Sequence, residues 1–389
     1  MGVIMEKPVI IGIGYTRIGE HWEKSLRELA VEAALMALDN AGVNRVDAIY
    51  VSNMMSGALQ EQEHLGSLIA TCLGLKGTPA CKIEAACASG GMAIHQAFLA
   101  VASGYYDTVL VVGVEKMTDR LTSEVTFALA MAEDREYVVS TGATFVGLNA
   151  LLYRLYLTKF NVDQKSIAKF PVIAHENALN APHAQLKRKI SVEDVLSSPI
   201  IADPIHLLEC APIGDGAAAL VIASPKAAKE SQKDTYIELA GSAAATDIMS
   251  LHERLDLLTL FASVKASQKA YKMAKVKPSD IDILEVHDAF SILAPIALED
   301  LGFAKKGEGW KMIENMDVSL SGNLPTNTMG GLKARGHPVG ATGIYQAVDA
   351  ILQLKGEAGK NQVDNPTLAL LQSTGGVGGT VVVNILKKR

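Results

Sequence analysis

Residues 41–51 read AGVNRVDAIYV, and residues 274–286 read AKVKPSDIDILEV. Each stretch closes a helix on Ala41 or Ala274, turns, and opens an apolar strand on Asp47 or Asp282, the second connection being longer by two residues. Shared turn chemistry can produce one such match by chance, so a duplicated chain must be argued from the flanks. Around the first stretch, apolar periodicity predicts a strand at 8–14, a helix at 25–41, a strand at 47–53, a helix near 64–75, a strand at 80–86, a helix from about 88 to 103 and a buried strand at 108–114. Around the second it predicts a strand at 236–242, a helix at 257–274, a strand at 281–287 and a helix at 291–301. A less regular stretch follows, then a Gly-rich turn into a helix at 341–354 and strands at 367–372 and 380–386. The alternation predicts a largely parallel α/β sheet with helices on both faces, and two halves of one design facing each other are its simplest account.

The N-terminal half takes residues 1–115 and is completed by about 206–230, where 216–223 reads as a strand; the C-terminal half takes 231–389. Residues 116–205 are helical and polar, with scattered His, Lys and Met, and read as a loop-domain insertion. Insertions on an α/β core sit over the carboxyl ends of the strands and shape the substrate site.

The chain has 389 residues, 49% hydrophobic and 20% charged, enough to bury a large core. Its net charge of -6 and lack of a basic stripe with interleaved aromatics argue against nucleic acid. No apolar run approaches the roughly 20 residues of a membrane span. Residues 1–7 are too short and too charged for a signal peptide, so a cytoplasmic protein is expected. Four cysteines without a C-x-x-C pair make neither a disulfide framework nor a structural zinc site, and no metal is expected.

Cys87 follows the strand at 80–86 and opens a helix beginning Ala88-Ser89-Gly90-Gly91. A thiol there meets unpaired amides and the positive end of a helix dipole, which favour thiolate; a buried, inert cysteine fits the same position equally well. Cys72, Cys81 and Cys210, in a helix, a strand and a loop, read as structural. His287 ends a strand at the same sheet end as Cys87 and can donate to an oxygen that is becoming an oxyanion, though a satisfied strand-end histidine is the plainer alternative. His337 stands in Gly336-His337-Pro338-Val339-Gly340-Ala341-Thr342-Gly343, the pseudo-twin of the Cys87 junction, so a twofold between the halves brings the two together. Gly375-Gly376-Val377-Gly378-Gly379 is either a flexible hairpin or a loop whose backbone N–H reaches the site as an oxyanion donor, the amide of Cys87 being the other.

In this order Cys87-Ala88-Ser89-Gly90, His287-Asp288-Ala289-Phe290, residues 336–343 and the terminal glycine loop resemble the four active-site motifs of thiolases, across essentially the whole chain. The His-Asp opening is similar to archaeal acetyl-CoA C-acetyltransferases and to the sterol-carrier-protein type. The resemblance implies a thiolase-like fold of two βαβαβαββ halves in a five-layer α-β-α-β-α core. It implies ping-pong acyl transfer in which Cys87 carries the acyl group, His337 activates it, and His287 with His337 holds an enolate oxygen. Cys87 and Gly375 are expected to form the oxyanion hole, and Met117, Ala289, Phe290, Gly340 and Gly376 to contact substrate. No cofactor is implied, coenzyme A thioesters being substrates.

The resemblance further implies condensation of two acetyl-CoA to acetoacetyl-CoA, feeding the mevalonate route to isoprenoids. It points to a homodimer or tetramer pairing through residues 80–86, and to a complex with 3-hydroxy-3-methylglutaryl-CoA synthase through a small zinc-containing OB-fold protein. Degradative 3-ketoacyl-CoA thiolysis and an inactive scaffold are the alternatives. The chain departs from the family at the second, acid/base cysteine, whose two usual places hold Gln372 and Ala289. Proton transfer is then left to His287, His337, Cys87 or a water. Lys187-Arg188-Lys189 reads as a solvated helical face or as a contact for CoA phosphates.

Overall fold

A computed structural model describes residues 7–231 and 236–389; residues 1–6, on which the signal-peptide reading leans, lie outside it. The alternating apolar residues form strands β1 (Val9–Tyr15), β2 (Ala48–Ser52), β3 (Ala80–Ile83) and β4 (Thr108–Glu115). The insertion contributes a small hairpin, β5 (Ile200–Ala202) and β6 (Ile205–His206). The remaining strands are β7 (Gly216–Ala223), β8 (Ile237–Thr246), β9 (Ile283–Glu285), β10 (Leu368–Gly375) and β11 (Thr380–Lys388).

The main sheet runs β3-β2-β4-β7-β1-β8-β11-β10-β9, and its two halves meet where Val9 and Ile10 pair with Glu238 and Ile237. Successive side chains of β4 show how the layers arise. Val109 and Val111 face one core while Leu110, Val112 and Val114 face another, as the two-residue period of a strand requires. The first core is the middle of the molecule, filled by the Ser89–Ala102 and Thr342–Lys355 helices between the half-sheets. The Leu26–Ala41 and Leu65–Cys72 helices cover the outer face of the N-terminal half, and Phe261–Ala274 and Leu293–Asp300 that of the C-terminal half. The result is five layers, helix-sheet-helix-sheet-helix.

Two expectations are corrected. The sheet is mixed rather than largely parallel: β2 is parallel to β3 and β4, and β9 to β10, while β7, β1, β8 and β11 join their neighbours antiparallel. The glycine hairpin between β10 and β11 imposes the reversal there, since a two-ended crossover needs many more residues. In the C-terminal half the counterpart of β3 shrinks to one parallel bridge, Leu284 to Thr326, because Asn327 takes a left-handed φ of 52° and ends the pairing. Among the described residues no helix is long and apolar enough to cross a membrane.

The two central helices touch through glycine. A Cβ on Gly343 would lie 2.3 Å from the backbone N of Gly91, and one on Gly90 would lie 2.9 Å from that of Gly343. Gly343→Ala is therefore expected to cost about 1–3 kcal/mol in urea unfolding, as overpacking does, whereas Gly19→Ala, with nothing within 4 Å, should change stability by less than about 0.5 kcal/mol.

Candidate active site

Three elements deliver the reactive side chains. The turn after β3 is tight: Ala86 takes a positive φ of 50°, and Ser89 Oγ accepts from Ala85 N–H and donates to the Ala86 carbonyl. Cys87 is thereby projected into the interior at the head of the Ser89–Ala102 helix. His287 follows β9, its backbone N–H donating to Gln372 Oε1. His337 follows a buried turn at 331–335 that Asp288 caps, its carboxylate accepting from the N–H groups of Leu332 and Lys333. One donor atom each of Cys87, His287 and His337 lie within 4.8 Å of one another, all buried, and the two imidazoles meet edge-on with centroids 5.2 Å apart.

The tautomer of His337 follows from its neighbours. We assign the single proton of Thr342 Oγ1 to the Pro338 carbonyl at 3.1 Å, which makes the hydroxyl an acceptor for His337 Nδ1 at 2.6 Å. Nδ1 carries the proton and Nε2 is left with a free lone pair, as a general base requires. His287 has neither ring nitrogen bonded among the described residues, although it is fully buried. An unsatisfied buried imidazole costs free energy that a ligand oxygen recovers.

Burial dominates the electrostatics. It drives the His287 imidazole down to about 3, helped by the nearby Arg335 guanidinium. His337 is likewise held well below its ordinary value by burial, then by His287 and Arg335. Both rings are neutral at ordinary pH. The expected thiolate is corrected: burial, with the Glu115 and Glu133 carboxyls, pushes the Cys87 thiol up to about 12, against the N–H groups of Gly376 and Cys87 that face the sulfur. Helix polarity loses because the amides of Ala88 and Ser89 are already used in the turn, donating to the Ala85 and Ala86 carbonyls.

The sulfur opens on an apolar cavity of about 340 Å³ lined by Met117, Leu129, Phe145, Ala289, Phe290 and His337, among others. Gly375 and Gly340, expected at the substrate, stand elsewhere. Gly375 is paired within β10, where a Cβ would strike the Ala85 carbonyl at 2.4 Å, and its neighbour Gly376 presents the N–H. Gly340 packs on Asn53 and gives its N–H to Glu115, behind the cavity wall. Cys210, read as structural, lines the cavity beside Phe290, while Cys72 and Cys81 are exposed. Lys187, Arg188 and Lys189 are exposed in irregular chain rather than on a helix.

Sequence reasoning passed over the groups that orient these residues. Glu115, fully buried, accepts from the N–H groups of Met54, Met55 and Gly340 and from Asn53, tying β2 and β4 to the His337 turn. Glu133 accepts from Val377 N–H and fixes the glycine loop. A carboxylate far in sequence from the groups it binds carries no local signal.

Two family models match the chain: "Thiolase, N-terminal domain" over residues 8–226 and "Thiolase C-terminal domain-like" over 243–388. The chain belongs to the thiolase family. It is 45% identical to an acetyl-CoA acetyltransferase of Methanothermobacter thermautotrophicus and 43% to one of Methanocaldococcus jannaschii, covering 99% of this chain and all of each relative. It is 30% identical to Bos taurus sterol carrier protein 2 over 97% of this chain and 72% of that one. Among solved structures, an Ltp2-ChsH2(DUF35) aldolase superposes with a TM-score of 0.86 at 23% identity, covering 99% of this chain and 98% of that one. Human mitochondrial 3-ketoacyl-CoA thiolase gives 0.78 at 17%, covering 99% of both; these two likenesses bear on the fold. The protein is an enzyme, a thiolase.

Two outcomes check this thiolase site. Thr342→Val frees the His337 tautomer and should slow acylation of Cys87 by about tenfold or more in rapid-quench measurements, with the unfolding midpoint little changed. Thiolate absorbance that disappears in Cys87→Ala should not develop between about pH 6 and about pH 9, since the thiol titrates near 12.

Proposed function

We propose that this thiolase is an acetyl-CoA C-acetyltransferase that condenses two acetyl-CoA to acetoacetyl-CoA and CoA. The observation that carries the reading is the convergence of Cys87 and His337, which line a small apolar cavity, with His287, whose donor atom lies within 4.8 Å of theirs. The two archaeal relatives that match along their full length are named for this activity.

In the first half-reaction the Cys87 sulfur attacks the thioester carbon as its proton passes to His337 Nε2, because a thiol held near 12 loses its proton only as the bond forms. The N–H groups of Cys87 and Gly376 hold the oxyanion; losing such a donor typically costs about 3 kcal/mol. CoA leaves with the proton from His337, and acetyl-Cys87 remains. A second acetyl-CoA then loses an α-proton, its enolate oxygen resting against His287 and His337. The enolate carbon attacks the acetyl group, acetoacetyl-CoA departs, and the thiol is restored.

The missing second cysteine leaves the α-proton to the cluster itself. Gln372 is committed to the backbone of His287 and to Ser263, Ala289 is inert, and the Cys87 sulfur carries the acetyl group when the α-proton leaves, so the base is a neutral imidazole or a bound water. Degradative 3-ketoacyl-CoA thiolysis is the second reading, favoured by the 30% identity to sterol carrier protein 2. Condensation is uphill, so a cytoplasmic partner that consumes acetoacetyl-CoA fits it. We assign that role to 3-hydroxy-3-methylglutaryl-CoA synthase at the head of the mevalonate route, docked through a small zinc-containing OB-fold protein. The outer edge of β3, which among the described residues pairs only with β2, is the assigned homodimer seam.

Labelled acetyl-CoA should leave one acetyl group per chain on Cys87, and none in Cys87→Ala. His287→Ala is expected to keep acylation and lose condensation by at least about a hundredfold. Equal loss of both half-reactions would remove His287 from the enolate role.

A further inference from the structure

Cys87, His287 and His337 are a thiol and two imidazoles, a donor set that selects borderline-soft cations over magnesium or calcium. Their donor atoms lie within 4.8 Å of one another, and Cys87 and His337 line the cavity of about 340 Å³, which opens the cluster on their side. We propose that the unacylated enzyme binds one Zn²⁺ through Cys87 Sγ, His287 and His337, with the fourth position facing the cavity, and that this blocks acyl transfer.

Tetrahedral zinc, with bonds of about 2.0–2.3 Å, asks for donors about 3.3–3.7 Å apart, so the cluster must draw in by roughly 1 Å. The arrangement makes that inexpensive. His287 breaks no hydrogen bond in turning, because neither ring nitrogen has a partner among the described residues. His337 needs no new tautomer, because Thr342 already holds the proton on Nδ1, which is the outer support that zinc-bound histidines have. The positive charge near the imidazoles, Arg335, is paired with Asp349. On binding, the thiol releases its proton to water and the sulfur gives its electron pair to the cation. Zinc is here an inhibitor: it takes the thiol and the lone pairs that acyl transfer uses, so cation and acetyl group exclude each other.

The inference rests on geometry and not on which thioester is the substrate. The test uses full-length, tag-free protein. Co²⁺ alone, as a spectroscopic stand-in, should give a sulfur-to-cobalt charge-transfer band and intense tetrahedral d–d bands at one equivalent per chain. Zn²⁺ should displace it, and Zn²⁺ at saturation should slow iodoacetamide alkylation of Cys87 by at least tenfold. Cys87→Ser should abolish the charge-transfer band, and His287→Ala should weaken Zn²⁺ binding at least about a hundredfold, with circular dichroism verifying the fold of each. Acetylating Cys87 first should prevent binding. Octahedral spectra, a band that survives in Cys87→Ser because exposed Cys72 or Cys81 supplies the sulfur, or unprotected alkylation would each overturn the proposal. None of these readouts uses turnover, so failure of the acetyl-CoA reading leaves the test intact.

Discussion

The active site exists because two helices approach until only glycine fits between them. Gly90 and Gly91 at the start of one central helix press on Gly343 at the start of the other, and Gly91 also abuts Ser373 on β10. A side chain at any of these positions would drive the half-sheets apart. Cys87 stands just before the first of these helices, and His337 in the turn that leads into the second. Packing at the centre of the molecule therefore sets the separation of Cys87 and His337.

A second constraint is electrostatic. Arg335, without exposed surface, is ion-paired with Asp349, lies 4.0 Å from Glu285 and sits over the Tyr345 ring. Removing one partner from such a network leaves an uncompensated buried charge and is far more damaging than removing a surface pair. Its field, added to burial, keeps the His287 and His337 imidazoles neutral. Neutral rings of this kind suit the proton exchanges of the proposed reaction, since neither must first lose a proton to solvent. Thr342, Asp288, Glu115 and Glu133 complete this shell, each holding one catalytic segment by hydrogen bonds to backbone or ring.

The reactive residues and the duplicated order of helices and strands were legible because they are local. Strand ends, helix starts and glycine turns declare themselves within a few residues, and Cys87, His287 and His337 each stand at such a junction. The mixed direction of the sheet was not legible, because it depends on which distant strand β1 and β8 choose as neighbours. Nor was the single bridge of Leu284 to Thr326 legible, because it lies in a polar stretch without strand periodicity and depends on a distant neighbour.

By itself, then, the sequence determined the family and singled out Cys87, His287 and His337 as candidates, since each motif is written in contiguous residues. Only the tertiary structure decided the ionisation of Cys87, which burial holds as a thiol, and the choice of Gly376 over Gly375 as the amide at the sulfur. Burial and N–H direction are properties of the space around a residue, and that space is furnished by segments hundreds of positions away, as when Glu115 meets Gly340.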